Sequence, residues 1–223
     1  MPSTTLIAIG GGGATHGTHP ELDRLCIEYT ASRRRIGYIG TASGDDLDKH
    51  RRFCDGFRPF SGTLSQLSKQ AERDQARIWA EGLDLIYIGG GSPTLLVDHW
   101  KSTGIGTVLI EAFRRGVTLA GVSAGAMCCF ESFLWRSSDD GLQVSEGLGI
   151  VQGSMTPHSQ IEPDRRAHMH GLVTSGAIPE GFAVDDGAAL VLREGDPVRS
   201  YPYEGPPFVH RIRRREGEIA LNP

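Results

Sequence analysis

The sequence predicts an α/β protein: a single domain over residues 1–223, with a mostly parallel central sheet covered by helices on both faces. Three observations carry that expectation. Short apolar runs alternate with amphipathic stretches from the start of the chain to about residue 130, the pattern of strand–helix units in a parallel sheet. Glycine-rich turns follow three of the apolar runs, after Ile9, Ile88 and Ala120, where ligands gather in open α/β sheets. A chain of 223 residues is also long enough to bury one sizeable core without disulfides or metal.

The elements follow in order. Thr5–Ile9 reads as a buried strand ending in Gly10 to Gly13. Residues 20–32 read as a helix, with Leu22, Leu25, Cys26 and Tyr29 at helical spacing. Arg35–Ile39 is a second strand, residues 46–57 a helix, Thr63–Leu67 a short strand and residues 72–80 another helix. Leu85–Ile88 is the clearest buried strand, running into Gly89-Gly90-Gly91. Ser92 as N-cap with Pro93 at the first helical position starts the next helix. That helix breaks near residues 102–104 and resumes over residues 105–115. Residues 117–120 form a strand and residues 124–130 a helix. Beyond them the alternation fades. Residues 132–149 read as loop, 150–155 as strand, 165–174 as helix, and 182–192 and 208–212 as strands in hairpin-like surroundings.

Composition narrows the function classes. Hydrophobic residues make up 39% and charged residues 22%, which suits a folded globular chain and not a disordered one. The net charge of −4 argues against broad electrostatic binding to nucleic acid or anionic lipid. Glycine, at 30 of 223 residues, is about 13% against a usual roughly 7%, a sign of tight turns and close backbone approaches. The four cysteines, Cys26, Cys54, Cys128 and Cys129, form no C-x-x-C pair, which fits a reduced, cytoplasmic setting. The first ten residues lack a basic leader region, and no window reaches the length of a membrane span.

Gly121-Val122-Ser123-Ala124-Gly125 matches G-x-S-x-G, with a strand before it and a helix after it as the motif requires. A serine on such a sharp turn needs small flanking residues so that neighbouring chains can pass. Its hydroxyl then projects at the helix start, and the Ala124 N–H points to where an oxyanion would form. Gly89-Gly90-Gly91 is the natural source of a second donor, because side-chain-free residues let the main chain approach a carbonyl closely. Nucleotide binding fits poorly. G-x-G-x-x-G would need glycine at position 94 or 15, both threonine, and no G-x-x-x-x-G-K-[ST] occurs.

The serine needs a base, and the chain has eight histidines. His158 follows a predicted strand and Pro157; His168 and His170 are spaced on different helix faces; His16 and His19 lie in the first glycine-rich loop at the cleft rim; His50 and His99 read as helix-surface residues; His210 sits in the last strand. For the carboxylate that orients the imidazole, Asp185-Asp186-Gly187 at a strand end is the best candidate, although Asp-Asp-Gly is also ordinary turn chemistry. Two chain orders compete: Ser123, His158, Asp186, and the α/β-hydrolase order Ser123, Asp186, His210. The second would normally bring an upstream HGGG-type loop, which is absent from the sequence.

With these residues in place, the sequence resembles the peptidase E (aspartyl dipeptidase) and cyanophycinase family of serine peptidases over residues 6–192. The residues that carry the likeness are the glycine turn 86–91, the S-A-G-A elbow within 120–126, the strand 149–154 leading to Pro157-His158, and the acidic segment 183–190. The resemblance implies a class I glutamine amidotransferase-like, flavodoxin-like fold. It implies Ser123 as nucleophile, His158 as base, the Gly90 and Ala124 N–H groups as oxyanion hole, and Asp186 as third member, with Asp185 beside it. Relatives commonly carry glutamate at the third position and an aromatic residue where Ser159 stands here. The family's peptidases favour an aspartyl residue on the amino side of the scissile bond, and Arg165 and Arg166 are the candidates for its carboxylate.

The expected chemistry is hydrolysis of a small peptide through a covalent acyl-enzyme, with no metal or organic cofactor and no nucleic-acid or membrane partner. The loops at residues 14–20 and 132–150 are expected to restrict the cleft to small substrates, and the chain to act as a monomer or homodimer. The competing readings are a serine esterase or thioesterase with His210 as base, and a non-catalytic binding protein on the same scaffold. An amidotransferase is disfavoured, because that chemistry uses cysteine at the elbow and Cys128 and Cys129 lie further along.

Overall fold

Two sheets share the chain, and the first contains every strand predicted from the alternating pattern before residue 122. A computed structural model describes residues 3–30, 34–60, 62–202, 204–215 and 217–221. Strands β1 (Thr5–Ile9), β2 (Arg35–Ile39), β3 (Thr63–Leu67), β4 (Leu85–Ile88) and β5 (Thr118–Val122) run parallel. With β10 (Ala189–Arg193) and β11 (Asp196–Tyr201) added antiparallel, the order is β11-β10-β1-β5-β4-β2-β3. The inner strands β1, β4 and β5 are buried along their whole length, which is why they read as continuous apolar runs instead of alternating ones.

Helices α1 (Pro20–Glu28) and α2 (Leu47–Phe57) pack on one face of this sheet. There Phe53 of α2 stacks on Tyr38 at 4.7 Å between ring centroids and meets Phe57 at 5.1 Å. Phe57 in turn stands edge-on to Tyr87 at 5.2 Å. Helices α3 (Arg73–Glu81), α4 (Pro93–Thr103), α5 (Ile105–Arg114) and the short α6 (Ala124–Met127) contribute to the larger apolar cluster with Leu6, Ile86 and Leu119. Ser92 caps α4 as expected, its Oγ accepting from the Leu95 N–H at 3.2 Å, and Gly104 at φ 74° separates α4 from α5.

The second sheet corrects the reading of the later chain. Residues 132–146 are not a loop. They belong to a hairpin of β6 (Phe130–Ser137) and β7 (Gly141–Glu146), paired from Ser132↔Glu146 to Ser137↔Gly141, and only 147–149 are irregular as expected. The helix expected over residues 124–130 stops at Met127, because Phe130 already pairs with Val151. Strands β8 (Val151–Pro157), β9 (Gly181–Val184), β12 (Val209–Arg213) and β13 (Gly217–Ala220) complete the order β13-β12-β9-β8-β6-β7. The single strand expected over residues 182–192 is two. Gly181–Val184 belongs to this sheet, whereas Ala189–Arg193 crosses to the first. Helix α7 (Pro163–Ser175) covers the second sheet through Met169 and Val173, which pack with Leu134, Ala183 and Ile212. The helix expected over 20–32 ends at Glu28, and residues 31–33 lie outside the described residues.

Two pairings position the candidate functional residues. β1, β5 and β4 are neighbours, so the glycine turns after Ile9 and Ile88 and the elbow after Val122 meet at one sheet edge. In the second sheet Pro157 pairs with Val184, which brings His158 beside the Asp185-Asp186 turn. A bridge between Gly11 and Asp186 ties the two groups together. No helix among the described residues is long and apolar enough to cross a membrane.

Candidate active site

Ser123 occupies the turn between β5 and α6 at φ 53° and ψ −116°, a backbone conformation that L-residues hold only when the surroundings impose it. The imposing contacts are glycines. A Cβ on Gly121 would stand 2.2 Å from the Gly125 carbonyl oxygen, and one on Gly125 would stand 2.2 Å from the Ile88 carbonyl oxygen. The Ser123 N–H donates to the Ile9 carbonyl at 3.0 Å, locking the turn to β1.

His158, at φ 59° directly after β8, reaches the serine. Its Nε2 lies 2.8 Å from Ser123 Oγ, and its Nδ1 lies 2.5 Å from Asp186 Oδ1. An imidazole between a hydroxyl and a carboxylate at these distances has the geometry for taking a proton at one nitrogen while the other is oriented. Asp186 is fixed in its turn by Gln160, whose Oε1 accepts from the Asp186 N–H at 2.7 Å and whose amide donates to the Asp186 carbonyl at 3.3 Å. Gln160 belongs to no motif in the sequence; its place two residues after His158 is the only local signal for it.

Asp185 turns elsewhere. It accepts from Ser159 Oγ and, at 2.8 Å, from the Phe208 N–H, and His210 Nε2 lies 3.9 Å away. Burial alone would raise its pKa, but the nearby His210 imidazole and the hydrogen bonds from Ser159 and Phe208 hold it below the ordinary carboxylate value. Ser159 is fully buried, spent on this contact.

The remaining candidates divide. A Cβ on Gly90 would stand 3.2 Å from Ser123 Cβ, so the glycine turn lies directly against the serine. Ala124 opens α6, where a helical N–H has no intrahelical acceptor. His16 lies over the same turn, its Cε1 3.6 Å from that Gly90 position. Desolvation, with Lys49 and His158 nearby, lowers its pKa. Arg165 is buried and forks onto Glu162 at 2.9 and 2.8 Å. Arg166 hydrogen-bonds His210 Nε2 at 2.8 Å and pairs with Glu218 at 3.3 Å. It also lines a surface cavity of about 500 Å3, together with His19, Gln160, Asp186, Pro207 and Phe208. His210 is held by Glu218 at its other nitrogen, 2.8 Å away, and its described contacts do not include Ser123. Among the described residues no group of three or more His, Cys, Asp or Glu is placed to hold a metal ion.

Known proteins share this arrangement of chain. The pattern of peptidase family S51 matches residues 6–199. The chain is 35% identical to Uncharacterized peptidase YgaJ of Bacillus subtilis (strain 168) over 222 residues, covering 98% of this chain and 96% of that protein. Peptidase E of Streptomyces coelicolor is 30% identical over 120 residues, covering 52% of this chain and 48% of that protein. A crystal structure of a peptidase from an acI-B1 Actinobacterium superposes with a TM-score of 0.71 at 23% identity, covering 99% of this chain and 94% of that one. A putative Peptidase E protein from Listeria monocytogenes EGD-e gives a TM-score of 0.66 at 16% identity, over 88% and 97% of the two chains. The match across most of the chain, together with the near full-length likeness to a peptidase, leads to one assignment: this chain belongs to peptidase family S51 and is a serine-type peptidase.

Proposed function

We propose that the chain hydrolyses a small peptide, a dipeptide with aspartate on the amino side of the scissile bond, through an acyl-enzyme on Ser123. The observation that carries this reading is the run of contacts from Ser123 Oγ to His158 at 2.8 Å and on to Asp186 at 2.5 Å. In the forward step His158 Nε2 takes the hydroxyl proton as Ser123 Oγ bonds the carbonyl carbon. The carbonyl oxygen becomes an oxyanion facing the Gly90 and Ala124 N–H groups. Collapse breaks the C–N bond, and His158 gives its proton to the departing amine. Water repeats the sequence on the acyl ester and frees the acid. Asp186 holds the imidazole tautomer and stabilises the imidazolium that forms.

Aspartate recognition is assigned to the Arg165–Arg166 pair at the start of α7. Arg166 supplies the guanidinium at the cavity beside Asp186, and Arg165, clasped by Glu162, fixes the helix start that carries it. A dipeptide panel with Asp-Xaa, isoaspartyl and neutral members tests the reading on wild type and Ser123→Ala. Cleavage of Asp-Xaa that vanishes in Ser123→Ala is the expected result. Equal hydrolysis by both proteins, or cleavage of neutral members alone, would discard it.

A further inference from the structure

The glycine turn 89–91 is held at three points, and one of them is a side chain. At its ends the Gly89 N–H donates to the Ile39 carbonyl at 2.9 Å, and the Ser92 N–H donates to the Ala42 carbonyl at 2.8 Å. Between them Lys49 Nζ donates to the Gly90 carbonyl at 3.0 Å. Consecutive glycines lose more freedom on ordering than any other residues, so end anchors alone leave the middle peptide loosely set. The turn cannot be stiffened from within. Gly91 adopts φ 153°, and a Cβ there would stand 2.2 Å from the Ala42 carbonyl oxygen. A Cβ on Gly90 would crowd the Val122 carbonyl at 3.1 Å. Order at the middle peptide has to come from outside it.

Lys49 is in an unusual place for a lysine. It is the third residue of α2, whose N-cap Asp46 accepts from the Lys49 N–H at 2.8 Å. A cation in the first turn opposes the helix dipole, and this is the position where a capping box would place glutamate. Helix stability therefore does not account for it. Among the described residues Lys49 has no carboxylate partner; its ammonium is aimed at the Gly90 carbonyl.

We infer that Lys49 is a positioning residue for the oxyanion site: by fixing the Gly90 carbonyl it sets the glycine turn so that the Gly90 N–H faces the developing oxyanion. Its charge also adds to the preorganised field around that oxygen. The inference rests on the acyl-enzyme reading above, and its test separates the two.

Lys49→Met and Lys49→Arg are compared with wild type and Ser123→Ala for kcat and KM on the cleaved dipeptide. Labelling of Ser123 by a fluorophosphonate and 15N relaxation at the Gly90 and Gly91 amides complete the comparison. Loss of one oxyanion donor costs roughly a hundred- to a thousand-fold, so displacing one through its anchor is expected to lower kcat by about 10- to 100-fold, with KM within about twofold. Lys49→Arg should recover part of the loss. In Lys49→Met the order parameters of the two amides should fall from about 0.85 toward 0.6. Unchanged kcat, a raised KM alone, or unchanged order parameters would overturn the role. If wild type neither cleaves the panel nor labels at Ser123, the hydrolase reading falls, and the relaxation comparison still decides whether Lys49 orders the turn.

Discussion

Asp185 and Asp186 are neighbours in sequence that serve different networks. Asp186 Oδ1 meets His158 Nδ1 at 2.5 Å, while Asp185 accepts from Ser159 Oγ and from the Phe208 N–H at 2.8 Å. Asparagine substitutions separate the two. Asp186→Asn leaves the fold standing but favours the wrong imidazole tautomer, so kcat should fall by about 1,000- to 10,000-fold with little change in the urea midpoint. Asp185→Asn places an amide N–H2 among groups that already donate, so it should cost about 1–3 kcal/mol of stability while kcat stays within tenfold. A stable but inactive Asp185→Asn protein would reverse the assignment.

The strain at Ser123 makes a second prediction. At φ 53° a side chain costs about 1–3 kcal/mol that glycine does not incur, partly offset by glycine's greater freedom in the unfolded chain. Ser123→Gly and Ser123→Ala should both lose turnover, yet the glycine variant should melt about 2–4 °C above the alanine variant, corresponding to about 1 kcal/mol. Scanning calorimetry on the two inactive proteins makes the comparison without any assay of function. Equal melting temperatures would mean that the elbow holds no backbone strain.

His158 and His210 compete as the base, and their surroundings predict opposite outcomes. His158 touches Ser123, whereas His210 is clasped between Glu218 at 2.8 Å and Arg166 at 2.8 Å. Fluorophosphonate labelling of Ser123 should disappear in His158→Ala and persist in His210→Ala. The latter also removes one of the two contacts that hold Arg166 among the described residues, leaving Glu218. Because Arg166 lines the cavity beside Asp186, the KM for an Asp-Xaa dipeptide should rise. Labelling lost in His210→Ala with its fold intact would restore the esterase-type order.

How far these features could be read from the sequence depends on the range of the forces behind them. β1, β2, β4 and β5 were legible because each is a largely buried apolar run with glycine close by, a signal contained within ten residues. β3, mostly exposed or half-buried, was legible only from its place between two helical stretches. The β6–β7 hairpin was not, because most of its residues are exposed or half-buried and so lack the apolar run that marks a buried strand. Leu142 and Val144 alternate with Gln143 and Ser145, a period-two signal too short to mark a strand by itself. Asp185 and Asp186 are chemically identical, and what separates them are donors supplied by residues 158–160 and 208–210. Lys49 meets the glycine turn 41 residues away, a pairing that helix packing creates and no local spacing announces.

Asp23 yields a prediction about pH. Its side chain is almost wholly buried beneath the 14–16 turn, where Oδ1 accepts from the Ala14 N–H at 2.9 Å. Burial raises its pKa to about 7, against which the Ala14 hydrogen bond works. Because the folded value exceeds the unfolded one, the folded protein binds a proton more readily, and the associated stability is lost as pH rises toward the folded pKa. Asp23→Asn keeps an acceptor for the Ala14 N–H and cannot ionise. Its stability relative to wild type should therefore climb between about pH 4 and pH 7, with a slope approaching about 1.4 kcal/mol per unit, and level off above. Urea unfolding of both proteins from pH 4 to 8 measures the difference directly. A difference that stays flat across that window would show that Asp23 folds as a carboxylate, and the turn beneath His16 would then rest on an ionised group.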